Sequence, residues 1–459
     1  MAFGAMVTGR PVCSSIWVSG IRGGDHYGID LPAGLPLVAV RDGDEIMNEP
    51  RNLSIDGDRL WDSLMEMAKI GPGVAGGNRR LALTDEDREG RDLFVSWCEA
   101  AGCTVRVDAM GNIFARRAGR DDNLPPVVTG SHLDTQPTGG KFDGVYGVLA
   151  GLEVIRSLND MAYETDHPIE VVCWTNEEGS RFAPAMISSG VFAGAFTLEE
   201  AHAKEDVDGV TLGAELKRIG YAGDMPVGGR EFHAYVEAHI EQGPILEEED
   251  ALIGIVTKAQ GQRWYEYTLT GQESHAGSTP MDRRRDALLG AARVIELVNA
   301  IGMEYAPDAR STVGMIESYP NSRNVIPGQV FLTSEFRHPD DDVLAEMDAK
   351  LRDGLTKIAD NIGLESEFEQ IFYIAPIVFD ERCVSAVRNA ARARDFAARE
   401  MTSGAGHDAC YIAAVAPTSM IFIPCVDGIS HNEAEDISTE WSTAGGQVLL
   451  GALLELATN

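Results

Sequence analysis

Apolar runs alternate with segments of helical periodicity in the first part of the chain. Residues 126–129 and 169–174 are short, mainly apolar runs typical of strands buried in a parallel sheet. Between them, 144–158 has apolar side chains at helical spacing. The same alternation returns near the C-terminus, where a helix, a strand and a helix are predicted at 381–399, 418–423 and 439–457. This order of elements predicts an α/β domain.

The middle of the chain has a different pattern. Arg263 to Thr270 alternates between apolar and polar residues like a half-exposed strand, and 281–301 has the periodicity of a long helix. Two strands, a helix and a last strand are then predicted at 311–317, 329–336, 341–361 and 365–373. This β-α-β-β-α-β order is that of a ferredoxin-like domain.

These two patterns predict the domain organisation. We expect a small domain at 258–370 that is inserted into a larger α/β domain built from 47–257 and 371–459. Residues 1–46 are predicted to be an N-terminal extension of uncertain role. They have no basic segment followed by a long apolar stretch, so they do not resemble a signal peptide.

Composition narrows the class of partner without identifying one. The chain has 38 Lys+Arg against 72 Asp+Glu and a formal net charge of −34, so anionic nucleic acids and membrane surfaces are poor partners. No run reaches the roughly 18–20 apolar residues of a membrane span. The seven cysteines form no Cys-x-x-Cys pair and several lie in apolar runs, which indicates a reduced, cytoplasmic protein.

Titratable side chains collect just after the strand-like runs of the α/β domain and in the Gly-rich loop 140–144. They are His132, Asp134, Asp143, Glu177, Glu178, His239 and His431. Because open α/β sheets bind ligands at the carboxyl ends of their strands, we expect these side chains to lie together. Imidazole and carboxylate donors without a thiolate favour Zn²⁺ or another borderline divalent ion. A carboxylate able to bridge indicates two ions.

The neighbouring carboxylates Glu177 and Glu178 allow a division of labour. One can bind a metal ion while the other accepts a proton from the metal's water, whose pKa falls to about 7 on Zn²⁺. Asp134 is predicted to orient the His132 imidazole as a partner outside the ligand set. Each residue alone would be typical of an ordinary loop, and only the combination predicts a site.

Eight motifs then indicate a family. The chain contains, in this order, GSHLDTQPTGGKFDG, NEEGSRF, HIEQGPILE, SHAGSTPM, NSRNVIPG, EFRHPD, GAGHDA and SHNE. With them it resembles, from about residue 55 to the C-terminus, the hydantoinase/carbamoylase family of dinuclear metal amidohydrolases, which are related to zinc aminopeptidases and aminoacylases. The resemblance implies a zinc-aminopeptidase-like α/β catalytic domain with an inserted ferredoxin-like α+β dimerisation domain.

The resemblance also implies a role for individual residues. Five would bind the metal ions, with Asp143 bridging: His132, Asp143, Glu178, His239 and His431. Glu177 would be the general base. The substrate would be bound by Gln242, Asn324, Arg337, Gly406 and His407. Asn324 and Arg337 would hold its carboxylate, and His275 of the inserted domain would reach the active site of the partner subunit in a homodimer.

The implied activity is hydrolysis of the carbamoyl C–N bond of an N-carbamoyl amino acid to the amino acid, CO₂ and ammonia. The expected cofactors are two divalent ions per subunit, Zn²⁺ first, with Mn²⁺, Co²⁺ or Ni²⁺ as alternatives. The segment 134–144 is most similar to the β-ureidopropionase branch, which makes N-carbamoyl-β-alanine the expected substrate. An N-carbamoyl-L-α-amino acid hydrolase and an allantoate amidohydrolase are the alternatives, since they share the metal site.

Two other classes of protein remain open. One is a catalytically inactive binding protein on the same scaffold, against which the presence of Glu177 and of all five expected ligands argues. The other is a thiol hydrolase that uses one of the seven cysteines, although no motif surrounds any of them.

Overall fold

The structure, a computed structural model, describes residues 53–458, so the predicted extension at 1–46 lies outside the described residues. The described chain contains a large sheet with an extensive apolar core and a four-stranded sheet with a second core of its own. None of its helices is long and apolar enough to cross a membrane.

The strands of the described chain are numbered in chain order. They are β1 Thr104–Val107, β2 Ile113–Arg117, β3 Val127–His132, β4 Ile169–Trp174, β5 Ala234–Ile240, β6 Ile253–Ala259, β7 Gly261–Thr270, β8 Ser274–His275, β9 Arg310–Tyr319, β10 Val325–Ile326, β11 Gln329–His338, β12 Glu365–Ile374, β13 Ile377–Val378, β14 Ala398–Ser403 and β15 Thr418–Ile423.

The helices are numbered in the same way. They are α1 Gly57–Met67, α2 Asp85–Ala100, α3 Val145–Asp160, α4 Ile187–Phe192, α5 Leu198–His202, α6 Leu212–Ile219, α7 Ile245–Glu248, α8 Ala287–Glu304, α9 Asp341–Ile362, α10 Glu381–Ala393, α11 Asp408–Ile412 and α12 Thr439–Ala457.

The large sheet is built around four parallel strands. Its order is β1-β2-β4-β3-β5-β15-β6-β13, with β14 beside β6, and β4, β3, β5 and β15 are parallel neighbours. Every residue of these four strands is buried, because helices such as α3 and α12 pack on them. At Gly147 a Cβ would overlap the carbonyl oxygen of Ala238, so glycine lets α3 approach β5 closely.

The second sheet is antiparallel, with the order β12-β7-β11-β9. Helices α8 and α9 pack on one face, where the alternate residues Tyr265, Tyr267 and Leu269 of β7 are buried in the second core. The six elements follow one another in the predicted β-α-β-β-α-β order. The domain limits at 258 and 370 stay a prediction; β7 begins at Gly261 and β12 ends at Ile374.

The structure confirms most of the predicted elements and corrects two helices. The elements predicted at 169–174, 418–423 and 439–457 have the predicted bounds. The helix predicted at 281–301 begins only at Ala287, where the carboxylate of Asp286 accepts hydrogen bonds from the N–H groups of Leu288 and Leu289, both at 3.1 Å.

The helix predicted at 381–399 is also too long. It ends at Ala393, Asp395 has a positive φ of 54°, and 398–403 form β14, which the sequence analysis missed. The Ala- and Arg-rich sequence favours a helix locally. Parallel pairing of β14 with β6 overrides that preference.

Candidate metal centre

The predicted metal-binding side chains converge at one edge of the large sheet. His132 is the last residue of β3, and Glu177 and Glu178 follow β4. His239 lies near the end of β5, and His431 follows β15. Because these strands are parallel, their carboxyl ends meet at the same edge, as expected for a site in an open α/β sheet.

Asp143 lies between two groups of donor atoms. Its Oδ1 is 3.6 Å from Nε2 of His132 and 3.2 Å from Nε2 of His239. Its Oδ2 is 3.4 Å from Nε2 of His431, which is also 3.4 Å from Oε2 of Glu178. We call His132, His239 and Asp143 the inner group, and Glu178, His431 and Asp143 the outer group. A carboxylate shared in this way fits a bridging ligand between two metal ions.

Main-chain contacts fix the imidazoles of the inner group. Nδ1 of His132 is 2.9 Å from the carbonyl oxygen of Asp134, and Nδ1 of His239 is 3.0 Å from that of Ile240. A ring N–H that donates to these carbonyls leaves Nε2 available to a metal. Gly144 lies against His132, where a Cβ would overlap the ring, and its φ of 68° also favours glycine.

Asp134 contacts the His132 imidazole through its main chain, a detail that the prediction left open. It orients the imidazole through its backbone carbonyl, while its carboxylate accepts the backbone N–H groups of Glu177 and Glu178, each at 3.3 Å. The carboxylate therefore positions the two glutamates after β4. The spacing His-x-Asp predicts the proximity of the two residues but not which group of the aspartate makes the contact.

The side chains of the outer group are held by contacts between loops, whereas the imidazoles of the inner group lie on strands. His431 has a positive φ of 53°, and its side chain is 52% exposed. Glu178 accepts hydrogen bonds from the backbone N–H and the side-chain amide of Gln136, at 3.1 and 2.6 Å. The outer group is thus more accessible than the inner one, whose two imidazoles are each 1% exposed.

Two carboxylates that the sequence analysis missed tie the His431 loop in place. Glu433 accepts the backbone N–H groups of Ala75 and Gly77 in the loop 73–77, which wraps around its carboxylate. A Cβ at Gly73 would overlap that carboxylate. Glu435 accepts the backbone N–H groups of Phe142 and Asp143, both at 3.0 Å. The sequence places these two glutamates two and four residues after His431, and this proximity to an expected ligand was the signal that could have identified them.

Negative charge is concentrated in this buried site. Burial raises the pKa of Glu177 well above that of an exposed glutamate, although the His132 imidazole opposes the shift. Burial also raises the pKa of Glu178, to about 7. Burial opposes the ionisation of Asp143, but the surrounding imidazoles of His132, His239 and His431 hold its pKa well below its ordinary value. Carboxylates buried this closely need cations, so the charge and the donor set both fit divalent metal ions.

A second buried network lies against the inner group and was not predicted. Glu237 of β5 accepts hydrogen bonds from the hydroxyl of Ser131, at 2.7 Å, and from the backbone N–H of Ala409, at 2.9 Å. Its carboxylate lies close to the imidazoles of His239 and His407. A charged residue inside the fully buried strand Ala234–Ile240 was the signal in the sequence.

Four of the predicted substrate-binding residues line a cavity of ≈ 840 Å³ beside the metal-binding side chains: Gln242, Arg337, Gly406 and His407. The side-chain amide of Gln242 donates to Oδ2 of Asp143 at 3.0 Å. Arg337 of β11 donates to the carbonyl oxygen of Gly404 at 3.2 Å and to Glu335 at 3.0 Å. Its guanidinium is therefore held at the cavity wall between the two sheets.

His275 and Asn324 lie elsewhere in the described chain. They belong to the short pair of strands β8 and β10 and its adjoining turn, where the backbone N–H of Ala276 donates to the carbonyl of Asn324 at 2.9 Å. Both side chains are exposed, and neither lines the cavity described above. The predicted role of His275 in the partner's active site stays a prediction. The predicted role of Asn324 in binding the substrate carboxylate stays one too.

The thiols of the described chain do not favour cysteine catalysis. Six cysteines are free and buried, and Cys410 lines the cavity. Burial raises the pKa of the Cys410 thiol to about 12, so it is protonated and weakly nucleophilic near neutral pH. The cytoplasmic location expected from the sequence stays a prediction.

Comparison with known proteins places the chain in a family. The model of the peptidase family M20/M25/M40 matches residues 128–455. An N-carbamoyl-L-amino-acid amidohydrolase of Rhizobium meliloti is 56% identical over 406 residues, which cover 88% of this chain and 98% of the relative. An allantoate amidohydrolase of Bacillus subtilis is 34% identical, over 89% of this chain and all of the relative.

A solved structure gives the same result. The crystal structure of an amidase of the hydantoinase/carbamoylase family from Burkholderia multivorans is similar with a TM-score of 0.86 and 67% sequence identity. The match covers 89% of this chain and 99% of the crystallised one.

Proposed function

The chain belongs to the peptidase family M20/M25/M40, a metal-dependent family, and from this premise we propose that it hydrolyses the carbamoyl C–N bond of N-carbamoyl-L-α-amino acids. The resemblance to hydantoinase/carbamoylase amidases and the zinc-aminopeptidase-like fold class are confirmed, and the chain is a hydrolase of C–N bonds. The comparisons favour this substrate, the first alternative in the sequence analysis, over N-carbamoyl-β-alanine.

One observation supports the proposal most directly. The carboxylate of Asp143 faces the inner group through one oxygen and the outer group through the other, while Glu177 remains as an additional carboxylate beside them. Oε2 of Glu177 is 3.4 Å from Nε2 of His132. A pair of metal positions with a free base alongside is an arrangement suited to the hydrolysis of an unreactive amide.

The proposed reaction consumes one water molecule for each carbamoyl group. Water adds to the carbamoyl carbon, the bond from that carbon to the amino-acid nitrogen breaks, and the products are the free amino acid and carbamic acid. Carbamic acid then decomposes to ammonia and CO₂. Glu177 would accept a proton from the attacking water and deliver it to the leaving nitrogen, since its Oε2 lies 3.4 Å from Nε2 of the expected ligand His132.

The five metal-binding residues would hold two divalent ions, Zn²⁺ being the expected one. When bound, such ions supply a water of lowered pKa and polarise the carbonyl oxygen. Arg337 would bind the α-carboxylate of the substrate, since its planar guanidinium can donate two parallel hydrogen bonds. Gln242 would hold the bridging carboxylate of Asp143 in place.

A substrate panel tests this function. We expect release of ammonia from N-carbamoyl-L-α-amino acids, slower release from N-carbamoyl-β-alanine, allantoate and N-carbamoyl-D-amino acids, and loss of activity on dialysis against a chelator. Zn²⁺, Mn²⁺, Co²⁺ and Ni²⁺ are then added back separately. Allantoate as the only good substrate, or activity that survives metal removal, would contradict the proposal.

We also propose that the chain forms a homodimer through the four-stranded sheet. Strand β9 is an edge of that sheet, and it exposes Met315, Ile316 and Tyr319 by 44%, 45% and 61%. Helix α8 beside it exposes Leu289 and Met303 by 44% and 68%. An unpaired edge strand flanked by exposed apolar side chains supports pairing with a second copy.

Complementation tests whether the partner's His275 completes the active site. His275→Ala and Glu177→Gln proteins should each be almost inactive. Unfolded and refolded together, they should recover about a quarter of wild-type activity, because half of the dimers are then mixed and each mixed dimer has one intact site. Mixed dimers without activity would contradict a shared site.

A further inference from the structure

One face of the four-stranded sheet forms a wall of the cavity. Along β7, Tyr265 and Tyr267 point to the helices, so Gln262 and Trp264 lie on the opposite face. Along β11, Phe336 is buried in the second core, and the next residue, Arg337, faces the cavity. The guanidinium expected to bind the substrate carboxylate therefore shares this face with the Trp264 indole.

A β-bulge adds further apolar side chains to the same face. In β12, Phe368 packs on Tyr265 within the second core, with ring centroids 5.2 Å apart. Unbroken alternation would direct Phe372 to that side as well. The register with β7 shifts between Gln370 and Phe372, which puts Phe372 opposite Trp264, with ring centroids 5.2 Å apart.

The two rings leave much of their surface uncovered. Trp264 is 40% exposed and Phe372 is 37% exposed, and both line the cavity. Apolar side chains from the large domain line it too, among them Met186, Phe196 and Tyr411. Large aromatic side chains exposed together in a concave site are typical of a surface that a ligand covers.

We propose that the pair Trp264 and Phe372 determines specificity by binding the side chain of the substrate's amino acid. The preferred substrates are N-carbamoyl-L-α-amino acids with a large apolar or aromatic side chain. This inference rests on the proposed function, because it takes the carbamoyl group to lie at the metal-binding residues and the carboxylate at Arg337. The side chain then faces the aromatic wall. A second ureido group or a carboxylate placed against the two rings would be removed from water there without gaining hydrogen-bond partners from the rings.

A series of side chains of increasing size tests the preference. The substrates are the N-carbamoyl derivatives of Gly, L-Ala, L-Leu, L-Phe and L-Glu. We expect kcat/KM to rise from Gly to Phe by about 10–200-fold for each well-filled apolar increment. L-Glu serves as the polar case, since Lys204 also lines the cavity. Similar kcat/KM values for all the derivatives, or the highest kcat/KM for the L-Glu derivative, would overturn the inference.

Variants test the two residues. Trp264→Ala and Phe372→Ala should each lower the ratio of kcat/KM for the Phe derivative to that for the Gly derivative by at least about 10-fold. Trp264→Phe and Phe372→Leu, which keep apolar volume, should lower it less. Ile371→Ala is the matched control, because Ile371 is 44% exposed in the same strand but does not line the cavity.

The outcomes separate this inference from the proposed function. The alanine variants could turn over all the N-carbamoyl-L-amino acids with an unchanged ratio of kcat/KM for the Phe derivative to that for the Gly derivative. That result would support the proposed function but overturn the role of Trp264 and Phe372. Failure to turn over any member of the series would refute the proposed function and with it this inference. If Ile371→Ala lowered the Phe-to-Gly ratio of kcat/KM as much as Trp264→Ala and Phe372→Ala do, the cause would be a general disturbance of β12. That result would also overturn the assignment.

Discussion

The inner and outer groups of the metal centre share Asp143 but are built differently. His132 and His239 are buried on adjacent parallel strands, and main-chain carbonyls hold both rings. His431 lies in a loop, has a positive φ and is half exposed. The inner position is fixed by the sheet, whereas the outer one depends on how the His431 loop is anchored.

This difference predicts different behaviour of the two metal positions. Ligands on rigid, buried elements lose little freedom on binding a metal, whereas an exposed loop ligand must be held by its neighbours. We therefore expect the first ion to bind at the inner group with higher affinity and the second ion to exchange more readily. Three experiments with four variants test this comparison, in order of decreasing effect on activity.

Glu177→Gln should have the largest effect. It removes the proposed base beside the inner group without removing any of the five expected ligands, so kcat should fall by about 10²–10⁴-fold while both ions stay bound. The measurement pairs steady-state kinetics with metal content after dialysis. Near-normal kcat, or loss of an ion, would contradict the assignment of Glu177 as base.

Removal of one imidazole from each group compares the two positions directly. His239→Ala should weaken binding of the first ion by more than the roughly 10–100-fold seen for residues that only support a ligand. His431→Ala should retain one tightly bound ion and lose the second. Metal titration by calorimetry, with metal content measured on the same samples, distinguishes the two. The same stoichiometry and affinity in both variants would show that the groups are equivalent.

Sequence analysis identified the side chains that the structure brings together in both groups, but not the contacts that hold them. His132 and Glu178 follow apolar runs whose pattern fixes strands, and the topology of a parallel sheet brings strand ends together. Glu433, Glu435 and Glu237 act through contacts with segments hundreds of residues away in some cases, such as Ala75 for Glu433. No local pattern specifies such partners.

The same dependence on distant contacts explains which elements of the fold were predicted and which were missed. The predicted element at 439–457 is found because its pattern is local and continuous. β14 was missed because its pairing with β6, nearly 150 residues earlier, overrides a helix-favouring composition. The bulge that turns Phe372 towards the cavity was not predicted either, since it is a property of the β12–β7 register and not of either strand alone.

Glu433→Gln should have the smallest effect and the most selective one. The loop 73–77 surrounds the Glu433 carboxylate with backbone N–H groups, and these hold its pKa below the ordinary value. An amide presents an N–H where one oxygen accepts, so the His431 loop should become less well fixed. We expect the affinity for the second ion to fall by about 10–100-fold, with the first ion unchanged.

The control for this variant is Glu199→Gln, an exposed glutamate in the first turn of α5 that is far from the loop in sequence. It should bind both ions as the wild type does, and saturating metal should restore activity in Glu433→Gln. Equal weakening of both ions in Glu433→Gln would mean that Glu433 supports the whole edge of the sheet. The two groups would then be mechanically coupled, and the distinction drawn between them would fail.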